Sequence, residues 1–312
     1  MNRKKGLWVA DTTLMVTTFL AVVLVLATLG FIVVDVLVHG WPRLSLGFLT
    51  EAPREGMTEG GVMPALFGTA ALVVLMTLAV VPVGVATELY LSEYASPDSR
   101  FAKVVRVAVR NLAGVPSIVF GLFGLGFFVG FLGGGIDRFF FGGEKVYGQP
   151  ALVWAALTMA VLTMPVVIVT TEEALRAVPR SLRDAAYALG ATRYQVVTTV
   201  VLPQAMAGVL TGTILAISRG AGEVAPILFT GAAYFLPALP GDLHSQFMHL
   251  GYHVFVLSTQ AADVDATAPV LYATVAVLLA VVFLLNLTAV VLRMRFRRRL
   301  AGRREYAPTD KQ

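Results

Sequence analysis

Six stretches of the chain carry almost no charge, and each is bounded by polar or Gly- and Pro-rich residues. The uncharged runs fall at 12–34, 60–87, 111–136, 146–171, from Pro203 onward, and 266–292. At ~1.5 Å rise per residue, the first run is about 35 Å long as a helix, enough to cross a hydrocarbon core of ~30 Å. The pattern predicts an all-α integral membrane protein with six transmembrane helices. Asn2, Arg3, Lys4 and Lys5 precede the first run. A cleaved leader has the same basic start but a shorter apolar core of roughly 7–15 residues and a small-residue cleavage site. No such site is visible, so 12–34 is read as a retained span.

Composition agrees with the pattern. Hydrophobic residues make up 57% and charged residues 14%, against roughly 45–50% and 25% in an ordinary soluble domain. The absence of cysteine excludes disulfides and thiolate metal sites. The net charge of +5 does not point to nucleic acid, because the basic residues sit at the ends of apolar runs and in the tail at 293–312. Of the 24 Lys and Arg, 19 lie at the amino terminus, in 88–110, in 172–203 and in the tail; four lie in the alternate loops, and Arg219 is the remaining one. By the positive-inside rule both termini and the 172–203 segment face the cytoplasm.

Residues 181–203, SLRDAAYALGATRYQVVTTVVLP, form a soluble-looking insert between the fourth and fifth runs. Ser181 with Asp184, and Thr192 with Gln195, have capping-box spacing and predict two helix starts. Leu182, Ala185, Ala186 and Leu189 predict an apolar stripe, and Gly190 a helix end in the left-handed conformation. The order of residues adds more. Asp184-Ala185-Ala186, three residues, Gly190, nine residues, Val200, Val201, Leu202-Pro203 resembles the signature loop of ABC importer permeases in every spacing. Asp184 replaces the family's Glu with a side chain one methylene shorter. The resemblance implies a type I ABC importer permease fold with a cytoplasmic coupling-helix loop. It further implies that Asp184, Ala185, Ala186, Gly190, Leu202 and Pro203 belong to the surface that docks on an ATPase.

Arg219 and Glu223 interrupt the fifth run four residues apart, so on a helix they share a face and pair. An ionised group in the bilayer centre is unfavourable by at least ~2.5–3.5 kcal/mol and normally faces a polar interior or a pathway. Gly220, Gly222 and Pro226 loosen the helix around them. The bland alternative is a structural ion pair that locks helix packing. The stretch 218–226, SRGAGEVAP, resembles the Gly-Glu-x-Ala-Pro segment of phosphate-transport permeases. Residues 112–122, LAGVPSIVFGL, and 252–260, YHVFVLSTQ, agree, the last with the A-type of the two permease subunits. A guanidinium matches phosphate oxygens with two parallel hydrogen bonds, so Arg219 would meet the anion and Glu223 would hold Arg219 in place.

His249 and His253 are four apart, as helical metal ligands can be, but no carboxylate or Cys completes a pattern, and no metal site is predicted. Asp35 and Glu88 are read as interfacial, and the Arg-rich tail as a topology and lipid contact. The chain divides into 1–61, a first span with an external loop; 62–292, the permease domain with its coupling loop at 172–203; and 293–312, a basic cytoplasmic tail. No Walker-type phosphate loop is present, so no cofactor is expected on this chain. The resemblance implies ATP and Mg on two copies of a cytoplasmic ATPase. It also implies a second permease subunit, an extracytoplasmic phosphate-binding protein, and a bacterial inner membrane as the site. The rivals are a permease for another oxyanion or solute, a stand-alone secondary transporter and, third, a membrane enzyme, which lacks a clustered His, Asp or Ser constellation.

Overall fold

The computed structural model describes residues 2–96, 98–261 and 263–305. Among the described residues, six helices are long and apolar enough to cross a membrane: Asp11–Arg43, Met63–Tyr94, Ser117–Phe140, Leu152–Arg176, Arg193–Gly220 and Val264–Arg295. The fourth is the central one. Its sequence is apolar on every side, as a helix surrounded by others must be, and Trp154, Ala155, Met159, Val167 and Leu175 are all buried. Leu72, Met76 and Val80 of the second span, Ala216 of the fifth, and Ile227 and Phe247 beyond it close the core around Met159 and Val167. The first span lies at the margin and exposes Leu14, Phe19, Leu24 and Phe31. It meets the sixth at Gly40, where a Cβ would lie 2.9 Å from the Tyr272 carbonyl carbon.

Several boundaries differ from the pattern of apolar runs, each for a local reason. The polar stretch at 88–110 contains a helix, Arg100–Leu112, started by the Ser99 hydroxyl accepting from the Ala102 N–H. The third span begins only at Ser117, after a turn over 113–116, because Pro116 cannot continue the helix. At its far end the helix runs on through the expected loop to Phe140. There the buried Asp137 carboxylate accepts the N–H groups of Val146, Tyr147 and Gly148 at 3.2, 2.8 and 2.7 Å and folds the linker back. The fifth span does not start after Pro203. It starts at Arg193 and passes through the proline, with a π-helical turn at Val196–Val201 just before it.

The fifth span then stops at Gly220 and resumes as Ala225–Thr230. Beyond it, Ala232 bridges Phe247, and the helix Leu250–Thr259, about 15 Å long, is too short to cross. The sixth span continues as one helix, Val264–Glu305, into the basic tail, of which residues 306–312 lie outside the described residues.

Helices approach closely at several glycines, and Gly121 and Gly220 contrast what they meet. A Cβ on Gly121 would lie 2.9 Å from the Ala225 carbonyl oxygen and 3.1 Å from Pro226 Cα, whereas one on Gly220 would meet the flexible Met76 methyl and sulfur at 2.8 Å. Backbone cannot yield as a thioether can. We expect Gly121→Ala to destabilise the protein by about 1–3 kcal/mol, the range for overpacking, and Gly220→Ala by less. Thermal unfolding in detergent, with Gly126→Ala as a control in open space, measures the difference; equal effects at 121 and 220 would refute it.

Candidate functional site

The signature loop is a compact helix–turn–helix. Its first helix, Arg180–Ala188, starts with Pro179 in the capping position and no side-chain cap, so the predicted Ser181–Asp184 box does not form. Proline's fixed φ already presets the first turn. The helix ends as predicted: Gly190 has φ +81°, its N–H reaches the Tyr187 carbonyl at 2.9 Å, and the Ala191 N–H reaches Ala186 at 3.1 Å. This is a Schellman closure. The second predicted box is complete, with the Thr192 hydroxyl accepting from the Gln195 N–H and the Gln195 amide oxygen accepting from the Thr192 N–H.

The motif residues divide by task. Asp184 and Ala185 face outward, with Leu189, which is 89% exposed and therefore not part of an inward stripe. Ala186 turns inward, half-buried against the cluster that includes Val178, Val196 and Val201. Gly190 makes the turn. Leu202 and Pro203 sit in the continuing fifth span, Leu202 half-buried and Pro203 exposed.

Charged residues that no motif singles out hold this loop to the spans. Arg183 donates to Glu93 Oε1 at 2.9 Å, to the Leu175 carbonyl at 2.9 Å and to the Val178 carbonyl at 2.7 Å. It thereby joins the loop to the end of the fourth span and to the π-helical turn Tyr90–Tyr94 that ends the second. The Arg193 guanidinium lies 5.4 Å from the Tyr94 ring centroid, a second clasp on the same turn. Below them Arg106 donates to Glu172 Oε1 at 2.9 Å and to the Leu91 carbonyl at 2.9 Å, and lies 3.4 Å from Glu88 Oε1. Arg176 also bonds Glu172. Glu88 is therefore not interfacial: its side chain is 1% exposed and locked among the second span, the fourth span and the Arg100–Leu112 helix. Charges at the ends of apolar runs are the available signal in the sequence, but their partners lie 18 to 90 residues away.

Arg219 and Glu223 come together, Nε to Oε1 at 3.5 Å, but not on one continuous helix. Arg219 is in the last turn before the break and Glu223 is inside it. Gly220 packs on Met76 and Thr163, near the middles of the second and fourth spans, so the break lies at mid-bundle. The Arg219 side chain is 59% exposed and Glu223 22%. Near this level Val224 touches Gly251 beside the His249 ring. His249 precedes the short helix and its Nδ1 accepts from the Gly251 N–H at 3.2 Å. His253 is equally buried. Burial pulls both imidazoles down to about 4, so both are neutral at pH 7. Among the described residues no group of three His, Cys, Asp or Glu is placed to hold a metal.

A helix–turn–helix clasped to the ends of the second and fourth spans and a gap in a membrane helix around an ion pair are the features that the comparisons with known proteins place in a class, that of transport subunits. The chain belongs to the binding-protein-dependent transport system inner membrane component family, which it matches over residues 80–302. It is 30% identical over 244 residues to a probable ABC transporter permease protein, YqgI, of Bacillus subtilis, covering 75% of this chain and 78% of that one. It is 35% and 37% identical to the proteins named phosphate transport system permease protein PstA of Haemophilus influenzae and Pasteurella multocida, covering 68% of this chain and 70% of each. Among solved structures, it is similar to a bacterial alginate ABC transporter, with a TM-score of 0.65 and 16% identity over 89% of this chain and 93% of that one. It is also similar to the MetNI methionine ABC transporter, with a TM-score of 0.55 and 17% identity over 74% and 94%. The fold is that of ABC importer permeases.

The Arg183 clasp generates a test. Arg183→Glu leaves Glu93 and two helix-end carbonyls facing a like charge, and we expect it to loosen the loop while the spans persist. The swap Arg183→Glu with Glu93→Arg restores the ion pair. Protease sensitivity of the 177–192 segment in membranes should rise in the single variant and fall back in the swap; no rescue would mean that the pair does not hold the loop.

Proposed function

We propose that this chain is the A-type permease subunit of an ATP-driven importer of inorganic phosphate in a bacterial inner membrane, with both termini and the signature loop in the cytoplasm. The observation that carries the substrate is Arg219, a largely exposed guanidinium at the mid-bundle break of the fifth span. Relatives named as phosphate permeases at 35–37% identity support it. A broken helix near the bilayer midplane is where transporters place their solute sites. Phosphate would take the two parallel donors of the guanidinium, while Glu223 keeps Arg219 oriented and tempers its charge so that the anion is released. ATP and Mg would be handled by two copies of a cytoplasmic ATPase docked on Asp184, Ala185 and Leu189. A second permease subunit would complete the path, and an extracytoplasmic phosphate-binding protein would deliver the anion.

Two experiments test this. In the Cys-free chain, single cysteines introduced in place of Ser181 and Gln246 should label from opposite sides of the membrane, the first from the cytoplasm; same-side labelling overturns the orientation. The double variant Arg219→Gln, Glu223→Leu separates path from scaffold. Removing both partners strands no charge, and a structural pair is often replaced at little loss. If Arg219 meets the anion, phosphate uptake by the assembled complex falls at least about tenfold, the equivalent of one charge-assisted hydrogen bond of ~1.5–3 kcal/mol, and Arg219→Lys keeps part of it. Normal uptake by the double variant makes the pair scaffolding.

A further inference from the structure

The fifth span is broken by a turn, a second turn precedes the third span, and the arms that follow the two turns adjoin. The Arg100–Leu112 helix ends, turns over 113–116 and resumes as Ser117–Phe123. The fifth span ends at Gly220, turns over 221–224 and resumes as Ala225–Thr230. The two resumed arms pack directly on each other, with Gly121 against the Ala225 carbonyl and Pro226 Cα. The helix before each turn carries an exposed arginine in its last turn, Arg219 in the fifth span and Arg110 in the Arg100–Leu112 helix. In the sequence alone, Arg110 has no role beyond topology.

Its depth follows from its neighbours. Leu112 and Val115 pack against the central core that contains Met76 and Val167. Arg106, one turn before Arg110, is tied to Glu172. Along the fourth span, Glu172 lies nine residues, about 13 Å, from Thr163, which Gly220 touches. Arg110 therefore stands between the charged rim and the middle of the bundle. Arg106 has two carboxylates; Arg110 has no ion pair among the described residues. Lys103, seven residues earlier, lies on the same helical strip and is also exposed. An arginine at such depth facing lipid costs at least ~2.5–3.5 kcal/mol unless it snorkels to the interface. A water-filled path between the two turns would remove that cost.

We propose that Arg110 is a second anion-contacting residue of the translocation path, receiving the oxyanion between Arg219 and the signature-loop side. That the anion is phosphate rests on the function proposed above; that Arg110 faces the same water as Arg219 does not. The test uses the full complex in membrane vesicles with Arg110→Cys or Arg219→Cys as the single thiol, and the anionic reagent sulfonatoethyl methanethiosulfonate. Both thiols should react, and inorganic phosphate should slow both reactions severalfold. Arg110→Gln should raise the phosphate concentration for half-maximal uptake about tenfold with the complex still assembled, and Arg110→Lys should recover part of it. An Arg110→Cys variant that is inert to the reagent overturns the proposal, as does normal uptake by Arg110→Gln; either result makes Arg110 a rim or lipid contact. If vesicles with the unaltered chain take up no phosphate, the substrate reading fails, while reaction of the Arg110→Cys variant at a rate comparable to that of Arg219→Cys still upholds the shared path.

Discussion

Inside a bilayer every backbone N–H and C=O must find its partner within the protein, and the architecture depends on how this chain meets that demand where its helices stop. At the break in the fifth span, Ala221, Gly222 and Glu223 donate to Ile217, Arg219 and Gly220 at 2.9, 3.2 and 3.2 Å, and Leu228 donates back to Val224 at 3.2 Å. At the break before the third, Gly114 and Val115 donate to Asn111 and Leu112 at 3.0 and 3.2 Å. Short turns thus satisfy these groups from within the chain. The central fourth span and the small residues around it let the resumed arms pack tightly, so the gaps cost little and leave polar side chains at mid-bundle.

The second organising force is the cluster of buried charge at the loop end. Glu88 and Glu172 would be strongly unfavourable alone, and Arg106 with Ser92 offsets them. Such clusters add little net stability compared with apolar packing, and removing one partner is far more damaging than removing all. Their use here is positional: they fix the ends of the second and fourth spans and the Arg100–Leu112 helix in one arrangement, on which the Arg183 clasp then sets the loop.

Much of this is legible in the chain. Six uncharged runs yield six spans, because hydrocarbon imposes length and composition so strictly. The loop is legible in its Thr192 cap and Gly190 turn, which are local devices. What escapes a sequence reading is of two kinds. Prolines mislead in both directions: Pro203 looks like a helix start though the helix runs through it just after a π-helical turn, and Pro179 displaces the cap expected at Ser181. Long-range pairs are invisible, since nothing local links Glu93 to Arg183 or Glu88 to Arg106. Spacing finds the Arg219–Glu223 pair, but the break between them changes its meaning from a shared helical face to a bridge across a gap.

The loop hangs between two π-helical turns, Tyr90–Tyr94 on the second span it grips and Val196–Val201 on the fifth span it leads into. A π turn holds one residue more than the α-helix needs. Releasing that residue advances the chain by ~1.5 Å and swivels everything beyond it by about 100°. Each turn thus carries one residue of slack where the loop meets the spans.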